Sequence, residues 1–107
     1  SSPGPEPTFG TDVRVAEQAT REVAEDQERL EERERARRLA RIAVSEMVLY
    51  QPEKFEKAAR EGTLEQALGL EIQEARALLR QRIGEEVRAE TDFIIDELNR
   101  VTADRGR

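Results

Sequence analysis

The side chains with the widest chemical potential in this sequence are its carboxylates. Glu71, Glu74, Glu85, Glu86, Glu90, Asp92, Asp96 and Glu97 crowd a segment with helical patterning, the raw material of a carboxylate-bridged metal site. Such sites in four-helix bundles pair inward glutamates with Glu-x-x-His motifs, and the sequence contains no histidine. These acids are therefore expected on solvated faces. The missing histidine removes the commonest general base and metal ligand together, and the missing cysteine removes thiolate sites and disulfides. Neither a metal nor a cofactor is expected.

Glu46 raises a narrower question, because it falls beside Met47 in an otherwise apolar run. A buried carboxylate there would have a raised pKa and could move protons. One acid without a second organised group makes no catalytic set, so an ion pair or a solvated edge position is the expected outcome and no enzyme is expected.

Arg35, Arg37, Arg38 and Arg41 form a basic collar, with Arg76, Arg80 and Arg82 as possible additions. The collar follows an acidic stretch, since residues 11–34 hold nine acids and four arginines whereas 35–41 hold four arginines and no acid. It could meet nucleic acid, an acidic protein surface or the acidic arm of a second copy, but a charged helix face without a ligand is the first expectation. A net charge of −6 and the absence of interleaved aromatic residues make nucleic acid the weakest of these.

The elements that must position these residues are helices. No Gly or Pro interrupts the chain between Thr11 and Pro52, so a helix capped by Thr11 or Asp12 is predicted to run roughly 60 Å. Its first half carries a degraded heptad, Ala16, Val23 and Leu30, and ion-pair spacings at Glu25/Arg29, Glu31/Arg35 and Glu34/Arg38. Its second half is different in kind. Leu39, Ile42, Ala43, Val44, Met47, Val48, Leu49 and Tyr50 cover roughly 260° of the helix at 100° per residue, leaving Arg41 and Ser45 on a narrow polar strip.

Pro52 ends this helix and opens a short one, on which Phe55, Ala58 and Ala59 face inward and which Gly62 ends. Thr63 and Gln66 have capping-box spacing. Leu64, Leu68, Ile72, Ala75, Leu79 and Ile83 hold helical phase through Gly69, which predicts one helix with a weak point, broken at Gly84. Val87, Ile94, Leu98 and Val101 mark a last helix that frays at "ADRGR". Phe93 and Ile95 flank Ile94 and put apolar groups on more than one of its faces, for a partner copy or an exposed docking surface.

The fold expected is all-α: a long N-terminal helix and three shorter ones. Residues 1–10, with three prolines and two glycines, read as a flexible linker or the edge of a fragment, 11–38 as a charged coiled-coil-like arm, and 39–104 as the bundle core. Charged residues make up 39% and aromatics 4%, so patterning alone separates the chain from disorder. No stretch is long and apolar enough to span a bilayer and no secretory signal is visible, so a cytoplasmic protein without membrane contact is expected.

Twenty-one large apolar side chains between Leu39 and Val101 are thin for three helices around a fourth, and marginal cores are commonly completed by association. A homodimer is expected, with Leu39, Ile42, Ala43, Met47, Val48, Tyr50, Phe93 and Ile94 at its interface. The runs "RRLARIAVSEMVLYQPEKFEKAAREGTLEQAL" and "EARALLRQRIGEEVRAETDFIIDEL" resemble a helical segment of bacterial, particularly proteobacterial, multidomain proteins of unassigned function, a module appended to regulatory or zinc-ribbon regions. The resemblance covers about residues 36–98 and centres on "VSEMVLYQPEK". It implies an interaction module in a larger chain and transfers no activity or site residue. The expected function is non-enzymatic, a homodimerisation or scaffolding module of a regulatory protein. The alternative is a small regulatory protein docking nucleic acid or a transcription complex through the collar.

Overall fold

A computed structural model describes residues 9–105, with side chains from Val13 onward. The described residues are all-α, in six helices: α1 (Phe9–Tyr50), α2 (Pro52–Glu61), α3 (Leu64–Ala67), α4 (Gly69–Arg82), α5 (Glu85–Arg88) and α6 (Phe93–Arg105). Most of the expected linker lies outside the described residues. Phe9 and Gly10 already belong to α1, so Thr11 and Asp12 stand inside that helix and do not precede it as caps.

The chain divides into two compact units, one ending at Glu31 and one beginning at Glu32. In the first, Ala16 is exposed, and Val13, Val15, Val23 and Leu30 are 50%, 64%, 64% and 52% exposed. This helix is held by its own backbone and by local contacts such as Gln18 to Glu22 at 3.2 Å and Asp26–Arg29 at 3.3 Å.

The second unit starts earlier than the expected boundary after Arg38, because Glu32, Arg33 and Ala36 are already engaged. A Glu32 carboxylate oxygen accepts the backbone N–H of Gly84 at 3.0 Å. Arg33 grips Glu90 with two hydrogen bonds of 2.6 and 2.7 Å, the strong bidentate geometry of a guanidinium on a carboxylate. Ala36 is fully buried.

Two helix boundaries follow directly from residue chemistry. Gln51 leaves helical geometry (φ −138°, ψ 60°) ahead of Pro52, which occupies the first turn of α2, as the crowding of a proline ring against its predecessor requires. Gly62 ends α2 at φ 68°, and the N–H groups of Gly62 and Thr63 bond back to Ala59 and Ala58 at 3.4 and 2.9 Å. That pair of bonds is the Schellman arrangement, which favours glycine at its left-handed residue.

The Schellman turn also explains why the expected capping box of Thr63 and Gln66 does not form, Thr63 making no side-chain cap bond. A capping box needs the N–H of its first residue free for the acceptor three residues on, and the N–H of Thr63 is already spent on Ala58.

Two expected helices are each divided. Leu68 (φ −112°, ψ 27°) separates α3 from α4 while remaining fully buried, so the helix bends where a core side chain anchors it and the inward phase of Leu64 to Ile83 survives. The expected last helix splits into α5 and α6 because Asp92 starts α6 afresh: its Oδ1 accepts the Ile95 N–H at 3.1 Å. The end of α6 does not fray at Ala103. It continues to Arg105, whose guanidinium pairs with Glu56 and lies 5.3 Å from the centre of the Phe55 ring.

One core joins these elements. It is built from Ala36, Ala40, Val44 and Met47 of α1, Phe55, Leu68, Ile72, Ala75 and Leu79, then Ile83, Val87, Phe93, Ile94 and Leu98. The stripe that α1 contributes rises by four, four and three residues and includes two alanines, whose small side chains let neighbouring helices approach closely. No polar or charged residue among those described is buried.

Candidate functional site

The buried stripe of α1 uses only part of the apolar arc. Leu39, Ala43 and Val48 are half-buried, whereas Ile42, Leu49 and Tyr50 are 48%, 73% and 75% exposed. Met47, Phe93 and Ile94, expected at an interface between copies, are instead in this chain's own core at 5%, 4% and 0% exposure. Ile95 also packs against that core, so the Phe93–Ile95 run is no exposed docking surface. The reason is that α6 begins at Phe93, and its first turn faces the core on more than one side.

Leu39, Ile42, Glu46 and Leu49 follow one another at three, four and three residues along the less buried side of α1. Beside this row lies a groove of about 270 Å³, floored by Ile42, Ala43, Met47, Ala75 and Leu78 and rimmed by Glu46, Glu71, Glu74, Tyr50 and Gln51. Glu46 is exposed, which fits an edge carboxylate with its head in water.

Glu71 is the most organised acid of the rim. The Gln51 side-chain amide donates to it at 2.8 Å. This bond, a backbone hydrogen bond and the charge of Lys54 hold its carboxyl below the ordinary 4.5, against a smaller opposing effect of burial. A depressed folded pKa means that the contribution of Glu71 to stability is present above the unfolded value and is lost as pH falls through the folded value. Gln51→Ala is expected to move the Glu71 titration, followed by carboxyl NMR shifts, back up toward 4.5 and to reduce the stability lost on acidification. An unmoved titration would show that the amide does not govern this carboxylate.

The basic collar is partly neutralised within the second unit. Arg35 pairs with Glu32 at 3.6 Å and Arg37 with Glu34 at 3.0 Å, three residues apart and not at the expected four. Arg38 and Arg41 have no ion pair among the described residues. Arg41 and Arg37 share a hollow of about 190 Å³ with Arg100, Asp96 and Glu97. Hydrogen bonds and the charge of Glu97, and to a lesser extent Asp104, hold the Arg100 pKa above its ordinary value. Arg76 and Arg80 line a different cavity, beside Arg88 and the start of α6, so the sevenfold arginine patch suggested by the sequence is at least two separate groups.

The carboxylates of the C-terminal half are less idle than solvated faces. Glu90 holds Arg33, Asp92 holds Arg76 at 2.7 Å, Glu97 holds Arg100 at 2.6 Å, and Asp96 accepts the Thr91 hydroxyl at 2.6 Å. The Arg33 pKa is raised above its ordinary value, first by its hydrogen bonds to Glu90. Among the described residues no group of three or more acids is placed to hold a metal ion, and no helix is long and apolar enough to cross a membrane.

Sequence reasoning overlooked three structural contacts. Asp92 could have been found from "TD" ahead of "FII", a helix-start signature. The Glu32–Gly84 and Arg33–Glu90 contacts carry no local signal, since they join residues far apart in the chain. No protein-family model, curated protein or solved structure matches this chain.

Proposed function

We propose that this chain is a non-enzymatic interaction module that pairs with a second copy through the exposed side of α1, as a dimerising or scaffolding part of a larger regulatory protein. The observation that carries this reading is the row Leu39, Ile42, Glu46 and Leu49, in which Ile42 and Leu49 are 48% and 73% exposed. Its spacing is that of a two-helix seam. Tyr50 beside it adds an aromatic group of the kind enriched at interfaces, and contiguous exposed apolar groups mark interaction surfaces.

Glu46 selects the sense of pairing. A parallel two-fold arrangement opposes the two Glu46 carboxylates. An antiparallel one with the row fully overlapped opposes Leu39 to Leu49 and Glu46 to Ile42, one helical turn from Arg38, an arginine without an ion pair among the described residues. Charge complementarity therefore favours the antiparallel dimer.

Sedimentation at micromolar concentration is expected to give the mass of two chains. Glu46→Arg is expected to weaken the dimer, and adding Arg38→Glu to restore it. A clean wild-type monomer overturns the dimer, and a double variant no better than Glu46→Arg overturns the antiparallel sense.

A second reading, docking of nucleic acid or a transcription complex through the collar, draws on Arg38 and Arg41. The pairing of Arg35 and Arg37 with acids halves the free charge the collar offers. A salt-dependent mobility shift with DNA or RNA favours this reading, and capture of protein partners that survives nuclease favours the first.

A further inference from the structure

A cavity of about 410 Å³ opens where α4 faces α5 and the start of α6, lined by Arg76, Arg80, Arg88, Thr91 and Asp92 over an apolar wall that includes Leu79 and Phe93. We infer that this cavity is a binding site for a phosphate monoester carrying an apolar or aromatic group.

The charges are the first reason. Three arginines line the cavity against one acid, Asp92, in a chain whose net charge is −6. Asp92 is already committed twice, to Arg76 at 2.7 and 3.2 Å through Oδ2 and to the Ile95 N–H at 3.1 Å through Oδ1. It thus neutralises Arg76 and the start of α6 together. Neither Arg80 nor Arg88 is paired with a carboxylate among the described residues.

Arg88 is held in a manner that keeps its charge available. Its Nε donates to the Ile83 carbonyl at 2.8 Å, a neutral acceptor that anchors one edge of the guanidinium. The two terminal nitrogens keep their donors for a ligand. Guanidinium groups bind phosphate through paired N–H donors more strongly than neutral groups do, and two such groups around one cavity match a dianion better than a monoanion.

The size and the wall are the second reason. Small-ligand pockets span about 300–1,000 Å³ with mostly apolar linings and a few convergent polar groups. A bare phosphate leaves most of this cavity unfilled. Leu79 and Phe93, core residues at 5% and 4% exposure, back its lining, and the exposed Ala89 completes it as the apolar group open to an ester substituent.

The probes are phenyl phosphate, inorganic phosphate and phenol, followed by calorimetry and by NMR of the arginine Nε–H groups. Phenyl phosphate is expected to bind more tightly than either of the others and to shift the Nε–H signals of Arg80 and Arg88. Its affinity is expected to rise between pH 5 and 7.5, as the phosphate loses its second proton near pH 6. Arg80→Glu, at an exposed position without a structural contact, is expected to weaken binding by about tenfold or more. Arg82→Glu, on the same helix but off the cavity, is expected to leave it unchanged. Equal binding of phenol and phenyl phosphate, no binding at millimolar concentration, or equal losses in both arginine variants each overturn the site.

Discussion

Phe55→Ala is expected to remove about 3–5 kcal/mol of stability, the range for truncating a buried aromatic side chain. Phe55 is fully buried, the largest of the completely enclosed side chains, and sits one turn into α2, between the break at Pro52 and the glycine turn at Gly62. Few other side chains of α2 reach the core: Ala58 is small, and Ala59 is only partly buried. Without the ring, α2 loses its anchor, and the contact of Arg105 with the ring face is lost as well.

Domains of this size are typically stable by only about 5–15 kcal/mol, so the variant is expected to lose a large fraction of its stability. Urea unfolding followed by circular dichroism measures the effect. A loss below about 1 kcal/mol would place the ring outside a packed core. Arg105→Ala serves as the comparison, with an expected cost of about 0.5–1 kcal/mol for a partly exposed cation over an aromatic face.

Val44→Asp and Ile42→Asp are expected to have opposite consequences although they lie two residues apart. Val44 is 1% exposed and belongs to the buried stripe. An unpaired carboxylate there leaves water without compensation and is expected to unfold the second unit, at a cost of about 3–5 kcal/mol. Ile42 is 48% exposed, so aspartate there is expected to leave the helical signal and the unfolding midpoint close to wild type while abolishing self-association. Circular dichroism and sedimentation on both variants provide the check. A folded Val44→Asp protein would overturn the assignment of the buried stripe, and an undiminished Ile42→Asp dimer would move the interface elsewhere.

The boundaries that could be read from residues are those set by local chemistry. Pro52 stops α1 and Gly62 ends α2 in left-handed geometry, because the backbone there is restricted or freed, whereas Gly84 separates α4 from α5 in ordinary extended geometry (φ −66°, ψ 156°), where a Cβ would lie 3.0 Å from a Glu32 carboxylate oxygen. The inward phase Leu64, Leu68, Ile72, Ala75, Leu79 and Ile83 was legible for a similar reason, since periodicity belongs to the helix and survives its bend.

The division at Leu68 was not legible in that way, and the one at residues 89–92 was signalled only by Thr91 and Asp92 ahead of Phe93. "EVRAETDFIID" is compatible with helix throughout, and a new start at Phe93 becomes favourable only when Asp92 can cap it and bind Arg76 on a neighbouring helix. The same holds for Ala36 and Ala40. Alanines in a charge-dense run carry little hydropathy, and only the close approach of other helices makes them core residues.

Of the candidate site, the wide apolar arc on α1 was plain in the sequence, but its division was not. An arc of that width contains two stripes, and the residues alone do not rank them. The sequence by itself determined an all-α chain, the principal helix stops, the absence of histidine and cysteine chemistry, and the excess of apolar surface on α1, because each follows from residue type or local spacing. The tertiary structure alone decided that Ala36, Ala40, Val44 and Met47 turn inward while Ile42, Leu49 and Tyr50 meet solvent. It also brought Arg76, Arg80 and Arg88 around one cavity, because which face is covered and which charges converge depend on where α4 and α6 pack.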